Sequence, residues 1–149
     1  MDPMKSWAPT QGGVVTLPSG RLVRGRALRD GVVADDDAAD FGLYLTSRPH
    51  YEMWESRWIA WPDFRLPRSP SDTVAALRDA YDRSSIERVE IACGGGRGRT
   101  GTALAILARY DGVAADQAVA WARTAYRRGA VETPWQERFV RDAQLALPA

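Results

Sequence analysis

The sequence predicts an α/β fold: a single compact domain with a largely parallel central sheet and helices on both of its faces. Three observations lead there. Short β-type runs, Phe41-Gly42-Leu43-Tyr44-Leu45, Trp58-Ile59-Ala60-Trp61 and Val89-Glu90-Ile91-Ala92, alternate with segments of helical periodicity, the pattern of a layered α/β architecture. The segment from Thr102 to Tyr110 is apolar on nearly every side, as a helix buried at the centre of a fold is. A glycine-rich turn joins the last of those strands to that helix. It falls at the carboxyl end of a strand, where open α/β sheets place ligands.

In chain order, residues 1–12 read as a flexible lead to one domain spanning 1–149. Val14 to Leu17, a Pro18-Ser19-Gly20 turn and Arg21 to Arg24 have the form of a hairpin. Asp35-Asp36-Asp37 is a solvated acidic patch that caps or precedes a short helix. No oxygen-ligand spacing follows it, so it is not read as a metal site. Trp54, Trp58 and Trp61 are assigned to packing in the core or at a pocket rim. Ser69-Pro70-Ser71-Asp72 opens a helix reaching about Ser84, with Val74, Leu77 and Tyr81 along one face. Glu90 is out of place in a central strand with both faces buried. It needs an arginine partner, or else sits where the strand emerges to solvent. Ala115 to Arg128 reads as a further amphipathic helix and Thr133 to Leu147 as the last. The start of the latter is marked by Thr133-Pro134-Trp135-Gln136, a capping box with proline at the first helical position.

A chain of 149 residues is ample for one hydrophobic core. A formal net charge of +1 gives no basis for a polyanion-binding surface, and no nucleic-acid motif appears. No stretch approaches the length of a transmembrane helix, and Met1 to Trp7 lacks the apolar core of a secretory signal. Cys93 is the single cysteine, which rules out an intrachain disulfide and suits a reducing compartment. A cytoplasmic protein is expected.

Cys93 opens the run Cys93-Gly94-Gly95-Gly96-Arg97-Gly98-Arg99-Thr100. Its four glycines let successive backbone N–H groups turn inward, forming a nest for an anion. The helix that follows adds unpaired donors and the positive end of its dipole. Arg99 supplies a planar fork that can grip two phosphoryl oxygens, and Arg97 places a second cation in the loop. The same field favours ionisation of the sulfur. Cys93 is therefore expected as a thiolate, hydrogen-bonded by the loop amides and by the Thr100 hydroxyl. The run reads as a phosphate cradle with a nucleophile at its floor.

This run resembles the signature loop of the protein tyrosine phosphatase superfamily, cysteine-x-x-glycine-x-glycine-arginine-serine/threonine, in its compact dual-specificity branch. Trp61-Pro62-Asp63, about 30 positions before Cys93, resembles the mobile acid loop of that family. The resemblance implies Cys93 as nucleophile, Gly94 to Arg99 as the phosphate-binding loop and Asp63 as general acid and base. Thr100 would stabilise the sulfur as it leaves. Gln136 matches a glutamine that orients the hydrolytic water in members of similar length. The residue-level reading, that Gln136 completes the cap by bonding back to Thr133, stands beside it.

Hydrolysis of phosphotyrosine and of phosphoserine or phosphothreonine through a phosphocysteine, with no metal or cofactor, is the activity the resemblance implies. The partner is then a phosphorylated protein or a small phosphomonoester, with no nucleic acid. Arg97 points to phosphoinositides or inositol phosphates as the alternative, since members acting on these often carry a basic residue there. One position departs from the pattern. The residue before the cysteine is usually histidine, and here it is Ala92; the lone histidine, His50, is read as a surface or loop residue. A phosphate-recognition module without turnover is the rival of another class. A sulfurtransferase usually has a shorter loop, and an arsenate reductase needs resolving cysteines that this chain lacks.

Overall fold

The computed structural model describes residues 6–147. The elements follow as β1 (Val14–Thr16), β2 (Leu22–Ala27), two 3-10 turns (Leu28–Asp30 and Asp35–Asp37), β3 (Phe41–Thr46), β4 (Glu55–Ala60), α1 (Pro70–Arg83), β5 (Val89–Cys93), α2 (Gly98–Tyr110), α3 (Ala118–Ala125) and α4 (Pro134–Asp142). The five strands form one sheet in the order β1-β2-β5-β3-β4. β1 is antiparallel to β2, completing the expected hairpin, and every other pairing is parallel.

Register sorts the side chains onto two unlike faces. Val23 and Phe41 both pair with Val89, Leu43 pairs with Ile91, and Leu45 with Ile59, so these side chains share one face. They join a single core with Ala76, Leu77 and Ala80 of α1 and with Ala103 to Ala108 of α2. All six of those α2 residues are buried, which is why the segment carries no polar stripe.

The other face is polar and equally buried. Glu90 is 0% exposed. It accepts hydrogen bonds from Arg24 Nε (2.9 Å), Arg26 Nε (2.7 Å), Arg26 Nη2 (3.0 Å) and the Tyr44 hydroxyl (2.9 Å). Burial alone would push the Glu90 carboxyl up; the Arg26 bonds, the Arg24 charge and Tyr44 outweigh it and hold the group below the usual range. Of the two readings for Glu90, the arginine partner is the one observed. Burial and the Glu90 charge together push the Tyr44 phenol up, and the Trp54 indole caps that hydroxyl at 2.7 Å. Arg24 Nη1 also donates to the Asp37 carbonyl at 2.6 Å, fixing the 35–37 turn against this face. The acidic patch thus forms the short 3-10 turn itself. Helical elements do cover both faces, unequally: the four α-helices cluster about α2 on the apolar side, and the 3-10 turns flank the polar one.

Two segments differ from expectation. The helix expected over 115–128 is confined to Ala118–Ala125, because residues 114–117 form a turn and Tyr126 is drawn toward the glycine-rich loop. The last helix stops at Asp142 rather than Leu147. Arg109 Nη1 takes the Val140 and Ala143 carbonyls at 2.8 and 2.7 Å, and the Tyr110 hydroxyl takes the Ala146 N–H at 2.8 Å, so tertiary bonds replace helical ones. Within the expected lead, Trp7 is buried, donates to the Val89 carbonyl at 2.9 Å and stacks on the Arg24 guanidinium at 4.1 Å. Residues 1–5 of that lead lie outside the described residues.

Candidate active site

Three strand ends converge at the carboxyl edge of the sheet: Ala27 of β2, Ala60 of β4 and Cys93 of β5. Cys93 is buried, and the Thr100 hydroxyl donates to its sulfur at 3.0 Å. The N–H groups of residues 95–99 bond to no other protein group among the described residues, which is the condition for an anion nest. Gly96 has φ +64°, and a Cβ there would stand 2.8 Å from the Ala27 nitrogen, so no larger residue fits. Its carbonyl accepts from the Tyr126 hydroxyl at 2.6 Å. The Tyr126 ring lies against Gly25, where a Cβ would approach it to 2.6 Å. Burial pushes this phenol up to about 12, against the pull of Arg127 and with help from the Cys93 and Asp30 charges.

Arg99 is 6% exposed and reaches from the start of α2 across to the chain after β4. Its Nη1 donates to the Trp61 carbonyl at 3.0 Å, and its Nε lies 3.5 Å from Asp63 Oδ1. Asp63 is half exposed and accepts from the Phe64 N–H at 3.0 Å. Cys93, Arg97, Arg99 and Asp63 all line one cleft of about 300 Å³. The expected nucleophile, cations and acid therefore meet in one place.

Gln136 does not line this cleft. It is fully buried; its Oε1 accepts from the Glu132 N–H (3.0 Å) and its Nε2 donates to the Arg65 carbonyl (3.2 Å). The cap runs in one direction only, from the Gln136 N–H to Thr133 Oγ1 at 3.1 Å. The reciprocal bond back to the Thr133 N–H is not formed among the described residues. His50 lies in a loop on the polar face, bonded to Glu52 and edge-on to Tyr44 at 4.9 Å. Among the described residues no group of three or more His, Cys, Asp or Glu side chains is placed to hold a metal ion, and no helix is long and apolar enough to cross a membrane.

The protein-tyrosine phosphatase family model matches residues 36–145, from the acidic turn to beyond α4. The chain belongs to the protein-tyrosine phosphatase family. Two solved structures are similar to it. The crystal structure of Tk-PTP in the active form superposes with a TM-score of 0.61 at 28% identity, covering 70% of this chain and 78% of that one. A glycine-to-alanine mutant form of Tk-PTP gives 0.60 at 27% identity, covering 70% and 76%. Two uncharacterized proteins of Methanocaldococcus jannaschii are 34% and 32% identical over 103 residues, 60% of this chain in each case and 69% and 64% of their own lengths.

The phosphatase-family loop has neighbours that the sequence did not announce. Arg29 and Arg127 line the cleft beside Arg97, with Phe64 and Glu132 at its walls. Arg29 arrives by topology: its N–H and Nε both reach the Gly94 carbonyl, at 3.1 and 3.4 Å. It follows β2, the parallel neighbour of β5. Its one sequence signal was its position just beyond a β-strand whose pairing was unknown. Arg127 had no signal beyond its charge.

Proposed function

We propose that this chain hydrolyses phosphomonoesters, phosphotyrosine foremost and phosphoserine or phosphothreonine with it, through a phosphocysteine on Cys93. The observation that carries this reading is the meeting of Cys93, Arg99 and Asp63 in one cleft above unpaired loop amides. The amides of 95–99 and the Arg99 fork seat the phosphoryl oxygens and take up the charge they carry in the transition state. Cys93 Sγ attacks phosphorus in line, forming S–P as the ester P–O bond breaks. Asp63 gives its proton to the leaving oxygen, a contribution of typically 10²–10⁴-fold. Ionised Asp63 then takes a proton from water as that water attacks phosphorus. Sγ leaves as a thiolate stabilised by the Thr100 hydroxyl. A reduced Cys93 is required throughout, which fits a cytoplasmic setting.

A second reading has its own support. Arg29, Arg97 and Arg127 line the same cleft and form no ion pair among the described residues. A substrate with a second anionic group near the scissile phosphate, such as an inositol phosphate, would engage them.

The test is release of phosphate from para-nitrophenyl phosphate by the purified, reduced protein. Turnover is expected in the wild type and absent in Cys93→Ser, which still binds vanadate. Vanadate binding with no wild-type turnover would leave a recognition module instead. A phosphotyrosine peptide and an inositol bisphosphate assayed side by side separate the two substrate readings.

A further inference from the structure

The segment between β4 and α1 carries Asp63, and its position is set from outside. Several of its bonds are internal and travel with it: Trp61 Nε1 donates to the Arg65 carbonyl at 2.7 Å, and the Arg65 N–H to the Pro62 carbonyl at 3.2 Å. Others tie it to the rest of the fold. At its start the Trp61 N–H donates to the Thr46 carbonyl at 3.0 Å, and Arg99 donates to the Trp61 carbonyl. Two come from the first turn of α4: Trp135 Nε1 donates to the Phe64 carbonyl at 2.6 Å, and Gln136 Nε2 to the Arg65 carbonyl at 3.2 Å. Phe139, one turn further, meets the Trp61 ring edge-on at 6.1 Å. α4 thus grips the two residues that follow Asp63.

The gripped backbone is not at rest in its own minimum. Phe64 has φ +60°, a conformation that is costly for a bulky residue and persists only when the surroundings impose it. The carbonyl held by Trp135 belongs to this same residue. On the other side the post is firm. Thr133 caps α4, Pro134 opens it, and the buried Gln136 amide is tied at its oxygen to the Glu132 N–H.

We propose that the first turn of α4 is a latch: Trp135 and Gln136 are positioning residues that hold the 64–65 carbonyls and so keep Asp63 in the cleft beside Arg99. Release of the latch lets the strained Phe64 relax and carries the carboxylate away from the leaving oxygen. This assigns Gln136 to loop position rather than to a water. It rests on Asp63 as the acid, and hence on the proposed phosphatase reading, for its catalytic consequence, but not for the mechanical one.

The variant is Trp135→Phe, which keeps the aromatic plate and removes the N–H. Trp135 is 43% exposed, so the fold survives. Arg65 is exposed in the latched segment, and tryptic cleavage after it reports the open population when opening is fast. Cleavage there is expected to accelerate about three- to tenfold, the range one net hydrogen bond supplies, while cuts after Arg57 and Arg128, both exposed, keep their rates. An unchanged rate after Arg65, or equal acceleration at all three sites, overturns the latch. The second arm compares phenyl phosphate with 2,4-dinitrophenyl phosphate. Trp135→Phe should lower the rate on the first relative to the second, by less than the gain in cleavage where the latched state dominates, because only the poor leaving group needs the acid. In an Asp63→Asn background it should change neither. Equal slowing of both esters, or an effect that persists without Asp63, overturns the positioning role. Failure of the wild type to turn over either ester removes the phosphatase reading, and the proteolysis arm still decides the latch.

Discussion

Arg99 joins the cradle to the acid loop through one guanidinium plane. Its Nη1 holds the Trp61 carbonyl, and its buried Nε makes no hydrogen bond while lying 3.5 Å from Asp63. A buried donor left unmatched is costly, and under the proposed phosphatase reading a phosphoryl oxygen would supply its acceptor. Arg99→Lys keeps the charge and loses the fork. It is expected to lower kcat/KM for an aryl phosphate by roughly a hundredfold or more, the usual effect of removing one preorganised donor. Activity within a few fold of wild type would mean that charge alone suffices. At this scale the spacing of Cys93, Gly96, Gly98, Arg99 and Thr100 announced the loop, because each residue type there answers to a local demand: a thiol, a positive φ, a fork, a hydroxyl. Arg29 and Arg127 answer to no local demand. Strand pairing and the turn after α3 bring them in, and a linear reading has no access to either.

The strands were legible because their apolar content is set by the strand itself; the ends of the late helices were not. α3 and α4 stop short of the amphipathic pattern, since the pattern records which face is apolar and not which carbonyl finds a better partner. At α4 the partner is Arg109 of α2, donating to the Val140 and Ala143 carbonyls. These carbonyls belong to the last turn, which lacks helical donors, and a cation there also meets the negative end of the dipole. Arg109→Ala is expected to cost about 1.5–3 kcal/mol and to speed amide exchange at Ala143, whose N–H closes on Phe139 at 2.9 Å. Exchange at Ala143 matching wild type would mean the helix ends where it does for internal reasons. The first turn of α4, by contrast, was marked in the sequence by Thr133 and Pro134. What that turn holds lies some 70 residues upstream and left no local trace.

The molecule as a whole is a sheet with an apolar face for the helices and an ionic face gathered on one carboxylate. Glu90 was visible as an anomaly in a buried strand. Its partners were not, because Arg24, Arg26 and Tyr44 become neighbours only when β2 and β3 flank β5 in the observed register. Arg26 also donates to the Gly31 carbonyl at 3.1 Å, so the network ties the sheet to the segment carrying Arg29. In the folded state the arginines hold the Glu90 carboxyl below its ordinary value of 4.5. A lowered folded-state pKa adds stability that is fully present above the unfolded value and is lost as pH falls through the folded one. Stability of the wild type is therefore expected to decline below about pH 4.5, in part through this one group. Glu90→Gln removes the anion and leaves two guanidinium groups facing a neutral amide in a buried site. Breaking a buried pair in this way costs about 3–5 kcal/mol. The variant should thus be less stable at neutral pH and should lose part of the acid-side decline. Urea midpoints measured from pH 7 to pH 3 check both. An acid limb as steep as that of the wild type would place the proton uptake on other carboxylates. A variant as stable as wild type at neutral pH would show that the polar face is held by its remaining hydrogen bonds and not by the charge at its centre.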